Sequence, residues 1–83
     1  MRRRPTVLSR TIDDEIIAVD LARQHAYGFN PTGDLVWSML GAHTEDEITA
    51  AVSERFEIPL ERAAADVRVC LADLEARDLV AEP

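Results

Sequence analysis

The spacing of the apolar residues changes once along the chain, at Asn30-Pro31, and that change constrains the fold more than any other feature. Before it, apolar and polar residues alternate in short runs, which is typical of β-strands with one buried face. After it, apolar residues recur every three or four positions, which is typical of amphipathic helices. Asparagine is a favoured N-cap and proline is favoured at the first helical position, so the dipeptide predicts the end of a strand and the start of a helix.

Three short strands are predicted in the amino-terminal third. The first covers about residues 7–12 and ends at Asp13-Asp14, a pair that favours a turn. The second is the β-branched run at residues 15–21, and the third is residues 25–29. Strands this short and this closely spaced predict an antiparallel meander.

Three helices are predicted after the meander. The first covers about residues 31–40 and the second residues 44–56, which opens with a capping box of Thr44 and Glu47. The third, residues 60–78, carries an apolar stripe wider than a single packing seam requires. We therefore predict an α+β fold: one domain over residues 1–83, a three-stranded meander and then three helices. Residues 1–6, with their run of arginines, are expected to be flexible.

The charge is distributed unevenly along the chain. All nine basic residues are arginine and four of them lie in the first ten positions, whereas all sixteen acids come later. The body of the domain should therefore repel nucleic acid and attract basic partners. The last two helices resemble a helix-turn-helix unit, but the second of them carries five acids against three arginines. Charge thus opposes phosphate binding there, and a winged-helix DNA-binding regulator is kept only as the alternative from another functional class.

No catalytic or metal-binding motif is present. His25, His43 and Cys70 are the soft ligands, and none of them stands at a ligand spacing. Cys70 lies on the apolar stripe of the third helix, unlike a nucleophilic cysteine, which needs a positive and partly exposed setting. We expect no enzymatic activity, no cofactor and no metal. A lone cysteine, no apolar run of membrane-spanning length and no secretory signal predict a cytoplasmic protein that binds no membrane.

An open edge of the meander suggests how the chain acts. An extended peptide can add as a further strand to such an edge, and an adjoining apolar helix stripe can give it specificity. Gly28 allows another backbone to approach closely. Gly28 could equally mark a bulge, and the stripe could simply be core. Periodicity leaves both alternatives open, and both a monomer and a strand-swapped homodimer remain open too.

The order of several short motifs resembles the PqqD-like family over about residues 7–82. The motifs are Tyr27-Gly28-Phe29-Asn30-Pro31-Thr32-Gly33, Val36-Trp37-Ser38-Met39-Leu40-Gly41, Thr44-x-x-Glu47-Ile48, Phe56-x-Ile58-Pro59, Ala65-Asp66-Val67, Leu71-x-x-Leu74 and Leu79-Val80. Members of this family are the leader-peptide recognition elements (RREs) of pathways that make ribosomally synthesised, modified peptides (RiPPs). The resemblance implies a winged helix-turn-helix fold and a non-catalytic module that presents a precursor peptide to a modifying enzyme.

The resemblance leaves two pathways for a free-standing module. In lasso-peptide biosynthesis the partner is a leader-cleaving cysteine protease of the transglutaminase type. In biosynthesis of pyrroloquinoline quinone (PQQ) the partner is a radical SAM enzyme. The Asn-Pro-Thr-Gly helix start, the arginine-only basic set and the alanine-rich third helix favour the lasso pathway.

The resemblance also implies where the leader binds: antiparallel to the third strand and against the third helix. The candidate residues are the strand backbone of His25, Ala26, Tyr27, Gly28 and Phe29, the apolar floor residues Val67, Cys70 and Leu74, and the charged residues Asp66, Asp73 and Arg77. Cys70 departs from the bulkier residue that is usual at its position, which makes the groove or core roomier. We expect Tyr27 and Phe29 to share a face turned to the core, and Trp37 to lie in the core or at its rim rather than to stack on the ligand.

Overall fold

The computed structural model describes residues 1–81. Its elements, in chain order, are β1 (Arg2–Arg3), β2 (Val7–Ile12), β3 (Glu15–Asp20), β4 (His25–Gly28), α1 (Pro31–Met39), α2 (Glu45–Phe56), α3 (Leu60–Ala76) and β5 (Val80–Ala81). The predicted α+β architecture, a meander followed by three helices, is confirmed, and each predicted boundary falls within two residues of the observed one. Residues 82 and 83, which the predicted domain includes, lie outside the described residues.

The meander is an antiparallel sheet in the order β2-β3-β4. A two-residue turn joins β2 to β3, and both of its residues have left-handed backbone angles, with φ of 51° at Asp13 and 66° at Asp14. Such a turn matches the right-handed twist of a hairpin, and aspartate tolerates the left-handed region better than most residues. The next turn is held by buried Asp20, whose carboxylate accepts hydrogen bonds from the backbone N–H groups of Ala22 and Arg23.

The two faces of the sheet differ in what covers them. Val7, Ala18 and Tyr27 lie on the face that is turned towards the helices, and Ala18 is completely buried. Leu8 and Val19 stand opposite each other on the other face, where no helix packs among the described residues. This alternation follows from the two-residue period of a strand.

The helix boundaries are set by the caps that the sequence predicted. The Asn30 side chain accepts a hydrogen bond from Gly33 N–H at 2.7 Å. The capping box at the start of α2 is present in both directions, with Thr44 N–H donating to Glu47 at 2.8 Å and Glu47 N–H donating to the Thr44 hydroxyl at 3.2 Å. Gly33 packs closely against the end of β4: a Cβ there would lie 3.0 Å from the Phe29 Cβ, so a larger residue would require Phe29 to shift by a few tenths of an ångström.

The core lies between the helices and the inner face of the sheet. It consists of Val7, Ala18, Val36, Trp37, Leu40, Ile48, Val52, Ala63, Val67, Leu71, Leu74, Leu79 and Val80. Trp37 is only 1% exposed, so its prediction as a core residue is confirmed. Its ring stacks on Phe29 with 5.4 Å between ring centroids, which joins the core to the end of β4.

The amino terminus differs from the expected flexible segment. Arg3 pairs with Val80 in a small antiparallel sheet of β1 and β5. The Arg3 guanidinium donates to the Trp37 carbonyl oxygen at 3.1 Å and lies 5.0 Å from the centroid of the indole ring. A cation is stabilised there because the last carbonyl groups of a helix are unpaired and partly negative. The arginine run predicted a positive charge at the amino terminus, but it could not predict that Arg3 contacts the end of α1.

Candidate functional site

A cleft of about 560 Å³ opens between β4, the start of α1 and the exposed side of α3. Its lining residues are Tyr27, Gly28, Phe29, Asn30, Thr32, Gly33, Asp66, Val69, Cys70, Asp73, Leu74 and Arg77. Eight of the eleven residues predicted from the sequence are among them. One wall is therefore a strand edge and the opposite wall is a helix face.

The backbone of β4 presents unpaired polar groups along this cleft. Leu21 N–H donates to the Thr6 carbonyl, which fixes the alternation of hydrogen-bonded pairs along β2 and β3. The same alternation continues through the observed register onto β4. The backbone groups of Tyr27 therefore point towards β3, whereas the N–H and C=O groups of Ala26 and Gly28 point away from β3. By this alternation the N–H groups of Ala26 and Gly28 have no partner within the sheet, and among residues 1–81 no backbone hydrogen bond from outside the sheet reaches them. The outer edge of β4 can therefore accept another strand.

The α3 wall is an apolar strip flanked by charges. Leu74 is almost completely buried and forms the floor, Cys70 is half-buried beside it, and Val69 is 71% exposed at the rim. Burial, with a smaller effect of the neighbouring Asp73 carboxylate, raises the pKa of the Cys70 thiol above its ordinary value. The thiol is therefore protonated at neutral pH and is a poor nucleophile.

The Tyr27 end of the cleft is bounded by arginines. Arg77 lies 5.2 Å from the centroid of the Tyr27 ring, and its Nε donates to Asp73 at 3.1 Å. Arg23 donates to the Arg77 carbonyl at 3.3 Å and forms a salt bridge with Asp78, which also lies 3.7 Å from Arg4. The hydrogen bond from Arg23, followed by the charges of Arg23 and Arg4, lowers the pKa of Asp78. These contacts fix the end of α3 against β4.

The comparisons with known proteins show the family and the fold. A family model described as coenzyme PQQ synthesis protein D (PqqD) matches residues 15–80. The chain belongs to the PqqD family. The resemblance predicted from the sequence motifs is thus confirmed, whereas a search of curated protein sequences gave no significant match.

Two solved structures share the fold of this PqqD-family chain over nearly its whole length. TbiB1 in complex with the TbiA(beta) leader peptide superimposes with a TM-score of 0.89 at 26% identity, covering 99% of this chain and 100% of that one. A lasso peptide synthetase B1 complexed with the leader peptide superimposes with a TM-score of 0.87 at 17% identity, covering 98% and 96%. At 17% identity the second match supports the fold alone.

Three predicted site residues lie outside the cleft lining of this family member. Val67 was predicted to form the cleft floor, but it is completely buried in the core and does not line the cleft. A wide helical stripe cannot reveal which of its rows faces the core and which the cleft. The Ala26 side chain lies on the outer face of the sheet, and the exposed His25 side chain instead approaches the Tyr27 hydroxyl, with 3.4 Å between Nδ1 and Oη.

Sequence reasoning missed four lining residues, Asn30, Thr32, Gly33 and Val69. The first three lie at the start of α1, which follows β4 directly. Because β4 was already predicted to border the leader, the residues that follow it could have been predicted to line the cleft too. Val69 follows the spacing of Asp66 and Asp73 along one face of α3. Tyr27 and Phe29 pack against the core as expected, but both also line the cleft.

Residues 1–81 contain no cluster of three or more histidine, cysteine or acidic side chains that could hold a metal ion. In the same part of the chain, no helix combines the length and the apolar character needed to cross a bilayer.

Proposed function

We propose that this PqqD-family chain binds the leader of a ribosomally made precursor peptide as an additional strand on β4 and presents it to a modifying enzyme. The observation that carries the proposal is the pair of outward-facing backbone sites at Ala26 and Gly28, which lie beside the cleft under α3. The backbone would supply affinity, and the cleft would select the side chains of the leader.

The structural comparison supports the choice of ligand. TbiB1 is 26% identical over almost the whole chain and was solved with a leader peptide. Membership of the PqqD family is consistent with the same role. The fold alone would not establish a function, but here the shared fold carries an open strand edge and a lined cleft where a peptide fits.

The charges of the cleft suggest an orientation for the leader. A leader antiparallel to β4 runs from Phe29 towards Tyr27, so its carboxyl-terminal part approaches Arg77. Asp66 lies about 16 Å from Arg77 along α3, at the 1.5 Å rise per residue of a helix. We expect an acidic leader side chain near Arg77 and a basic side chain, or the amino-terminal part, near Asp66.

The site favours binding over catalysis. Cys70, the one nucleophilic side chain of the α3 wall, is protonated at neutral pH, and the neighbouring Asp73 carboxylate further disfavours its thiolate. Catalysis would require an activated nucleophile and an adjacent base. The chain is therefore proposed to act as an adaptor without enzymatic activity, in the cytoplasm where precursor peptides are made.

The enzyme that receives the leader is proposed to be a cysteine protease of the transglutaminase type, as in lasso-peptide biosynthesis. The helix start at Asn30-Pro31-Thr32-Gly33 and the arginine-only basic set favour this choice. The alternative partner, a radical SAM enzyme of PQQ biosynthesis, would use the same leader cleft. Binding assays with each purified enzyme and the leader-loaded chain distinguish the two.

The proposal is tested by sequencing the neighbouring reading frames for a precursor peptide and titrating the isotope-labelled chain with its synthetic leader. We expect a saturable complex, with amide shifts concentrated at residues 25–29 and 66–77. Asp73→Lys should weaken binding by about tenfold, which corresponds to about 1.4 kcal/mol. Glu75→Lys makes the same charge change on the same helix outside the cleft, so it is the matched control.

Three results would contradict the proposed site. Shifts confined to residues 1–6 would move binding to the arginine run. Equal effects of Asp73→Lys and Glu75→Lys would indicate that only the overall charge matters. No saturable binding at all would exclude this leader as the ligand.

A further inference from the structure

The sheet face turned away from the helices is an exposed apolar surface. Leu8 is 57% exposed, Ile12 53% and Leu21 56%. The register places Leu8 and Ile12 on the same face as the half-buried Ile17 and Val19. Leu21 follows β3 directly, and its N–H donates to the Thr6 carbonyl, so it continues the same alternation. Single exposed apolar residues are common, but a contiguous group across two neighbouring strands indicates a contact surface. We name these five residues the outer face.

Arg10 lies in the middle of the outer face, opposite Ile17. It is exposed, and among residues 1–81 no salt bridge holds it. Glu15 is the other charge on this side of the sheet and lies at the hairpin end, opposite Ile12. A surface that covers this region must match Arg10, because burying an unpaired guanidinium is costly. The complementary surface is therefore apolar with a carboxylate at its centre.

A second copy of the chain does not meet that requirement. A two-fold symmetric contact through the outer face pairs the same patch from both copies. Arg10 lies in the middle of the patch, so the Arg10 side chains of the two copies would meet near the two-fold axis. No carboxylate would lie between these two positive charges. A different protein that carries the carboxylate fits better.

The outer face also continues across β4 to the edge of the cleft. Ala26 stands opposite Val19 and Gly28 opposite Ile17, so small residues extend the face to the open strand edge. In a strand added to this edge, every second side chain would point to the same side as Ala26 and Gly28. Half of the bound peptide's side chains would then border the outer face, while the other half point into the cleft.

We propose that the outer face docks the enzyme that acts on the bound peptide, and that the outward side chains of that peptide complete the docking surface. This inference rests on the proposed leader binding. It implies that the enzyme binds the leader-loaded chain at least about tenfold more tightly than the empty chain. The peptide is thereby recognised twice, once by the cleft and once by the enzyme.

The test uses a purified lasso-pathway protease of the transglutaminase type, the full chain and the synthetic leader. Protease binding to each chain variant is measured with and without leader, and leader binding is measured separately by fluorescence polarisation. We expect Leu8→Glu and Arg10→Glu each to weaken protease binding by at least about tenfold while leader affinity stays within twofold. Leu60→Glu is the matched control, because Leu60 is 60% exposed but lies at the start of α3. Circular dichroism checks that each variant is folded.

The outcomes separate this inference from the leader proposal. Loss of leader binding in the unmodified chain overturns the proposed function. Two outcomes overturn the outer-face inference alone, both with intact leader binding. In the first, the protease does not bind the chain; in the second, it binds Leu8→Glu, Arg10→Glu and Leu60→Glu equally well. A homodimer that Leu8→Glu dissociates in sedimentation would assign the face to a second copy and also overturn it.

Discussion

β2 and β4 both form edges of the same three-stranded sheet, yet their surroundings are opposite. β4 has four residues and borders a cleft whose far wall is α3. β2 has six residues, and among the elements of residues 1–81 only β3 contacts it extensively. Hydrogen-bonded pairs alternate along the sheet, so the backbone N–H and C=O groups of Ser9 and Thr11 on β2 point away from β3. Those of Ala26 and Gly28 on β4 do the same. The backbone offers the same hydrogen bonds at both edges, so the neighbouring helix wall is what makes one edge selective.

The largest effect is expected from proline at an outward-facing position of β4. Ala26→Pro removes one outward N–H group and places a ring where the added strand would lie, while an edge strand tolerates proline there. We expect leader affinity to fall roughly 100-fold, about 2.7 kcal/mol, in isothermal titration. Ser9→Pro makes the equivalent change on β2 and should leave affinity unchanged. Equal losses in both variants would mean that the two edges are not distinguished.

The next effect concerns stability and tests the position of Val67 in the core. Val67→Ala opens a cavity in the core and should lower the free energy of unfolding by about 2 kcal/mol, measured in urea. Val69→Ala, two residues along the same helix at the exposed cleft rim, should change it by less than about 0.5 kcal/mol. A small loss in Val67→Ala would contradict its assignment to the core and return it to the cleft wall.

A smaller effect is expected at the Tyr27 end of the cleft. Arg77→Ala removes the stacking on Tyr27 and the ion pair with Asp73. We expect leader affinity to fall by about fivefold, close to 1 kcal/mol, with Arg77→Lys in between because lysine keeps the charge but not the planar group. Arg68→Ala, an exposed arginine of α3 outside the cleft, is the control. Equal effects of Arg77→Ala and Arg68→Ala would remove Arg77 from the site.

The smallest effect is a pH dependence from Asp78. Its pKa is lowered in the folded chain by Arg23 and then Arg4, so its contribution to stability is present above the unfolded pKa. That contribution is lost as the pH falls through the folded pKa, in the acidic range. In urea unfolding, the unmodified chain should have a slightly larger free energy of unfolding than Asp78→Asn at about pH 6. This difference should therefore shrink as the pH is lowered and Asp78 becomes protonated. An advantage that stays constant with pH would contradict the salt bridge.

The sequence predicted the fold well because its boundaries carry local chemistry. Asn30-Pro31 and the Thr44–Glu47 box mark helix starts through bonds made within three residues. The β1–β5 sheet could not be predicted, since two-residue strands have no periodicity and their partners are almost the whole chain apart.

The outline of the candidate site came from the family resemblance, which implied Asp66, Cys70 and Asp73 on the side of α3 that faces the leader; all three line the cleft. Helical spacing could not assign Val67 to the core, because that depends on how α3 is rotated against α1 and α2. Tertiary packing, not local sequence, decides that rotation.

The central claim is that a peptide adds to β4 and not to β2, and amide hydrogen exchange tests it most directly. With saturating leader, exchange at Ala26 and Gly28 should slow by at least about tenfold, because their N–H groups gain partners. Tyr27, already bonded to β3, and Ser9 and Thr11 on β2 should keep their rates. Unchanged exchange at Ala26 and Gly28, or equal slowing at Ser9 and Thr11, would contradict strand addition at β4.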